Sequence, residues 1–169
     1  MAEARRPGLI GEAIKSAKLA RRLTLAYVQD LTPADLAWRP APGANPIQWL
    51  FWHVAEVTEM VLWAFEAKPP TWRFGRSALK ERGPNGTFPA PGELLRYAEE
   101  VHARFLAYLQ AMPEEALDEP FGEGVWKGRG AGLIALPPRH ETYHCGQIAY
   151  VRRLMGKPVA DANEQNPYL

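Results

Sequence analysis

The densest chemistry in this 169-residue chain lies in one stretch, RHETYHCGQ, Arg139 to Gln147. His140 and His144 stand four positions apart. On a helix they lie one above the other on a single face and can grip one ion. With Glu141 between them they spell H-E-x-x-H, in which two histidines bind zinc and the glutamate acts as general base.

The chain has four histidines, the others being His53 and His102. His53 borders the buried seam of an earlier helix. A third imidazole from a facing helix would complete a three-histidine set with open positions, the arrangement of a catalytic ion. Two buried imidazoles without partners are costly. Either a metal or a hydrogen-bond network must therefore satisfy His140 and His144, and the residues alone leave both open. His102, in AEEVHARF, reads as a hydrogen-bonded core histidine.

No general base stands out, and the catalytic candidates are Glu56, Glu141 and Gln147. Glu56 follows His53 by one turn and could orient a ligand imidazole or hold a water. Glu141 points about 100° from His140, toward a neighbouring helix or solvent. Gln147 sits one turn beyond His144 and could hydrogen-bond the site. Trp49, Trp52 and Tyr143 could line a small-molecule pocket, although Trp52 and Trp63 read as core. Cys145, the single cysteine, reads as a buried inert thiol and excludes a disulfide framework or a Cys-rich zinc site.

Four helical segments must position these groups. The first runs from about Leu9 to Leu31, with Ile10, Ala13, Ala17, Ala20, Thr24, Tyr27 and Leu31 on one stripe. Thr32 can cap a short turn begun by Pro33. Asn45 is expected as N-cap and Pro46 as first residue of the second helix. Its seam is Ile47, Leu50, Val54, Val57, Val61 and Phe65, and it ends before KPPTW. Residues 67–90 form a long proline- and glycine-rich connector. The third helix starts near Pro91 and runs to about Met112. A second loop, PEEALDEPFGEGVWKGRGAG, carries an isolated Trp126. The fourth helix is expected to start at Pro137-Pro138 and to end at Gly156. The run LIAL before the prolines is either a separate turn or an early part of that helix bent at Pro137. No segment alternates with strand period. The expected fold is all-α: one four-helix-bundle domain over residues 1–169, with long connectors between helices two and three and between three and four.

Charge narrows the function. Twenty basic residues face 19 acidic ones, for a net charge of +1, so the footprint of a nucleic-acid binder is missing. The pairs Arg21-Arg22 and Arg152-Arg153 read as solvated helix faces. The most apolar stretch, PIQWLFWHVAEVTEMVLWAF, carries Gln48, His53, Glu56 and Glu59, a load for a core helix rather than a membrane span. The start of the chain has no apolar signal region, so the expected location is cytoplasmic with no membrane partner.

A zinc protease is the minor reading. Glu164 lies 20 residues after His144, at a spacing suited to a third ligand. Yet it sits in the terminal DANEQNPYL, no strand is available to bind extended peptide, and His53 would have no role.

Two blocks carry a resemblance. DLTPADLAWRPAPGANPIQWLFWHVAEV and HETYHCGQIAYVRRLMGKP together resemble the DinB/YfiT-like family of metal-binding four-helix bundles over nearly the whole chain. The first matches the family's Arg-Pro-x-Pro-Gly-x-Asn-x-Ile loop leading into the helix-two histidine. The second matches its paired histidines, Gly-Gln-Ile and closing Leu-x-Gly-x-Pro. The resemblance implies that His53, His140 and His144 are the ligands of a divalent ion, usually zinc or nickel, in an up-down-down-up bundle that is often a homodimer. It implies a transferase joining a low-molecular-weight thiol to a small electrophile, or a related hydrolase. The alternative is a non-catalytic metal-binding or stress-responsive homodimer. Cys145 stands where the family often has arginine. Pro137-Pro138-Arg139 stands where it has an apolar turn, and is expected to shorten helix four at the site.

Overall fold

The computed structural model describes residues 8–70, 73–74, 88–124 and 127–158. Trp126, Glu164 and much of the connector after helix two lie outside the described residues. Among those described are five α-helices: α1 (Leu9–Val28), α2 (Pro33–Ala37), α3 (Ile47–Glu66), α4 (Pro91–Ala111) and α5 (Gly130–Leu154). A 3-10 turn, Glu114–Asp118, precedes two short paired segments. These are an antiparallel ribbon, β1 (Pro120–Phe121) against β2 (Gly128–Arg129), a departure from the strand-free expectation.

Local chemistry sets the helix ends. Thr32 caps α2 as expected, and with Asp35 it completes a capping box. Pro46 rather than Asn45 is the N-cap of α3, so that helix starts at Ile47. The fourth bundle helix starts seven residues before Pro137, at Gly130. An added Cβ at Gly130 would lie 2.5 Å from the Ala116 carbonyl oxygen, so only glycine lets α5 begin against the 3-10 turn. Pro137 and Pro138 lie inside α5 and are buried. Each removes one backbone donor, yet the helix continues through the histidine turn. The prolines therefore do not shorten it at the site, and LIAL belongs to the same helix.

Side-chain pairs reveal the direction of each helix. Arg21, Thr24 and Asp30 meet Glu141, Cys145 and Arg152 in ascending order, so α1 and α5 run parallel. Glu59 and Glu66 meet Tyr97 and Arg104, so α3 and α4 also run parallel. His53 meets His140 and His144 while Leu50 packs with Ile148 and Val151, so α3 and α5 run antiparallel. The result is an up-down-down-up four-helix bundle, in which the end of α3 and the start of α4 lie at opposite ends of the two parallel helices.

Phe105, Leu62, Leu94, Leu109, Val61 and Ala98 are fully buried in the main core. Each large side chain there contributes roughly 1.5–3 kcal/mol of burial. A smaller cluster of Ile47, Trp49, Leu50, Ile148 and Val151 locks the start of α3 against the end of α5. That is the ground on which the histidines stand. No described helix is long and apolar enough to cross a membrane.

Candidate metal centre

His53 leaves α3 toward α5, and His140 and His144 leave α5 toward α3. One ring nitrogen from each can be chosen so that all three lie within 4.8 Å of one another. The His53 ring centre is 4.9 Å from that of His140 and 5.1 Å from that of His144. The Nε2 atoms of His140 and His144 are 3.1 Å apart. Two nitrogens on one tetrahedral ion, each at the usual zinc–nitrogen distance, lie about 3.3 Å apart. The pair thus fits an ion without rearranging the helix.

The electrostatics suit the same donor set. Burial, then the charges of His144 and His53, lowers the His140 pKa to about 3. Burial also lowers that of His144, against the opposing hydrogen bond that its ring makes to Gln147. Imidazole must be neutral to offer its lone pair, so both rings stay in the ligating form at neutral pH.

Supporting residues hold the rings. Gln147 Oε1 lies 2.8 Å from His144 Nδ1. When that oxygen accepts, the proton sits on Nδ1 and the Nε2 lone pair faces the centre. Trp49 stacks on His53 with ring centres 4.8 Å apart and planes 16° from parallel. Tyr143 and His144 meet edge to face, with ring centres 5.0 Å apart. His140 Nδ1, in contrast, is buried without a hydrogen-bond partner among the described residues.

The other candidates fall elsewhere. Glu141 is buried and faces α1, where Arg21 Nε lies 2.9 Å from its Oε1 and Arg21 Nη2 donates to its Oε2 at 3.4 Å. Burial pushes the Glu141 pKa up, and Arg21 opposes this. The same guanidinium reaches Glu99 of α4 at 3.1 Å. Glu56 is buried too, and its charge acts on Tyr97 of α4, whose hydroxyl donates to Glu59 at 2.7 Å. Trp52 is core. His102 is buried on α4, where burial, then Arg21 and Lys18, lowers its pKa to about 4. Burial raises the Cys145 thiol to about 11 beside Thr24.

The arginine pairs are half solvated and half structural. Arg22 and Arg153 are exposed, but Arg21 and Arg152 are buried. Arg152 donates to both Asp30 carboxylate oxygens, at 2.6 and 2.7 Å, and to the Tyr27 and Lys157 carbonyls at 2.7 and 2.9 Å. This clamp fixes the end of α5, and with it the register of His140 and His144 against α3. Neighbouring residues on a helix are about 100° apart, so one arginine of each pair turns inward. Charge patterning alone did not reveal which.

Comparison with known proteins agrees with this architecture. A family model described as the DinB superfamily matches residues 17–148. No curated protein matches the chain. Among solved structures, a conserved protein from Enterococcus faecalis aligns with a TM-score of 0.65 at 22% identity, covering 86% of this chain and 96% of that one. YfiT from Bacillus subtilis aligns with a TM-score of 0.64 at 17% identity, covering 92% and 94%. That protein is described as a probable metal-dependent hydrolase with an unusual four-helix bundle topology.

Proposed function

The chain belongs to the DinB superfamily, and from that premise we propose that it is a metal-dependent enzyme acting on a small molecule, a hydrolase or a thiol S-transferase. His53, His140 and His144 hold a divalent transition ion, zinc or nickel. The observation that carries the reading is the convergence of three imidazoles from two antiparallel helices, with two Nε2 atoms 3.1 Å apart. The description of YfiT as a metal-dependent hydrolase supports it.

Three protein ligands leave a coordination position open, as catalytic sites require. A bound ion would supply Lewis acidity, lowering the pKa of a water or holding a thiol as thiolate. The rest falls to the chain. Gln147 keeps the His144 lone pair turned inward, Trp49 holds the His53 ring, and the Arg152 clamp keeps α5 in register. Glu141 is assigned to the α1 interface and not to proton transfer.

Two assays test the reading. Hydrolysis of a nitrophenyl ester, and consumption of a small thiol with a neutral electrophile, should be followed with and without chelator in wild type and His53→Ala. At least one rate should fall with chelator, recover with added metal and be lost in the variant. Rates indifferent to chelator would exclude this function.

A further inference from the structure

Beyond Gln147, on the side away from the core, the protein opens a cleft of about 470 Å³ between α5 and the loop that leads into α3. Pro40, Asn45, Leu50, Tyr143, Gln147 and Tyr150 form its walls. Among the described residues no charged side chain lines it. Its volume falls within the range of small-molecule sites.

Three observations point to an occupant. Tyr143 and Tyr150 stand seven residues apart on one helix face, and each is 65% exposed. They flank the cleft with large rings that stay mostly exposed, Tyr143 also meeting the His144 ring. Gln147 joins the cleft to the histidines: its Oε1 is engaged by His144, which leaves its amide nitrogen, with two N–H donors, for a ligand. Finally, Gly146 lies in the interior of α5, where glycine is less favourable than alanine. An added Cβ there would meet nothing within 4 Å, and its φ lies outside the left-handed region. Neither packing nor backbone conformation within the chain calls for glycine. The position is open to something from outside that comes up against the helix backbone.

We propose that this cleft is the substrate subsite beside the candidate metal centre, and that it takes the flat, uncharged part of a small organic molecule. That part rests on Gly146 between Tyr143 and Tyr150 and accepts a hydrogen bond from the Gln147 amide. A charged group would lose its hydration and find only the neutral Gln147 amide, with no opposite charge among the lining residues. The inference rests on the proposed function for the direction in which the reactive group points, and not for binding itself.

The test uses the full chain as purified, with its metal content measured alongside. Amide NMR follows titration with neutral p-nitrobenzyl alcohol and with the matched anion p-nitrobenzoate. The alcohol should shift amides of residues 143–150 and of Asn45, and bind at least about 10-fold more tightly than the anion. Gly146→Ala should raise Tm by about 2–4 °C, keep the metal content, and weaken the alcohol at least about 10-fold through the filled floor. Shifts elsewhere, equal affinity for alcohol and anion, unchanged affinity in Gly146→Ala, or a lowered Tm would overturn the subsite. So would sedimentation showing that this face closes a dimer which Gly146→Ala breaks, with no alcohol bound. Alcohol binding at the cleft of a protein that holds no metal would sustain the subsite and remove the proposed function instead.

Discussion

Gln147 Oε1 and His144 Nδ1 lie 2.8 Å apart, one helical turn from each other on α5, while the corresponding nitrogen of His140 is buried without a partner among the described residues. The two histidines of one motif are therefore held differently. His144 has its tautomer set by a neighbour, whereas no hydrogen bond among the described residues reaches His140 Nδ1.

Gln147→Leu should weaken metal binding by about 10–100-fold, the usual cost of losing an outer hydrogen bond to a ligand. Gln147→Glu, which keeps an acceptor, should lose less. Competition with a chromogenic chelator measures the affinity, and nitrogen NMR of the His144 ring reads the tautomer. Equal affinity in all three proteins would show that the bond does not position the ligand.

Glu141 is assigned to Arg21, and that assignment separates it from a catalytic base. Glu141→Gln should keep chelator-sensitive activity within a few-fold, whereas loss of a general base costs about 10²–10⁴-fold. Arg21→Met should destabilise the fold by about 3–5 kcal/mol, because it leaves the Glu141 carboxylate buried without its cation. Urea unfolding and initial rates on the same samples check both. A collapse of activity at unchanged stability in Glu141→Gln would return the residue to the chemistry.

His102 makes stability depend on pH. Its folded pKa is lowered to about 4, below the ordinary 6.5 of the unfolded chain. Between those values the unfolded state binds more protons, so the His102 contribution is fully present above pH 6.5 and is lost as pH falls toward 4. Glu141, with its raised pKa, acts in the opposite sense, so the His102 share is read by difference. His102→Gln should flatten the fall in urea midpoint between pH 7 and pH 4.5. An unchanged pH profile would contradict the assignment.

Cys145 should be inert in the native state. With its pKa raised from 9.0 to about 11, the thiolate fraction is about 100-fold below that of an ordinary thiol. Burial slows access further. Iodoacetamide labelling at pH 8 should be slow until denaturant is added; labelling at the rate of a free thiol would contradict the buried placement.

Much of this was legible in the residues. The stripes of α1 and α3, the start near Pro91 and the proline and glycine stops place three helices within a few residues. His53, His140 and His144 were named from spacing and resemblance, and the fold brings them together. The start of α5 is not legible in the sequence, because Pro137-Pro138 reads as a helix beginning, while the Gly130 approach to Ala116 depends on a tertiary contact. Arg21 and Arg152 read as solvated from sequence because their partners, Glu141 and Asp30, lie more than a hundred positions away. Burial of a charge is decided by such partners, and they are invisible to local patterning.

The central claim is that His53, His140 and His144 share one ion. Elemental analysis of the purified protein, paired with an anomalous-scattering map of its crystals, tests it most directly. The account predicts close to one divalent transition ion per chain, with its peak among the three histidine rings, and loss of that ion in His53→Ala and His144→Ala. Absence of stoichiometric metal, a peak elsewhere, or undiminished metal in those variants would contradict it.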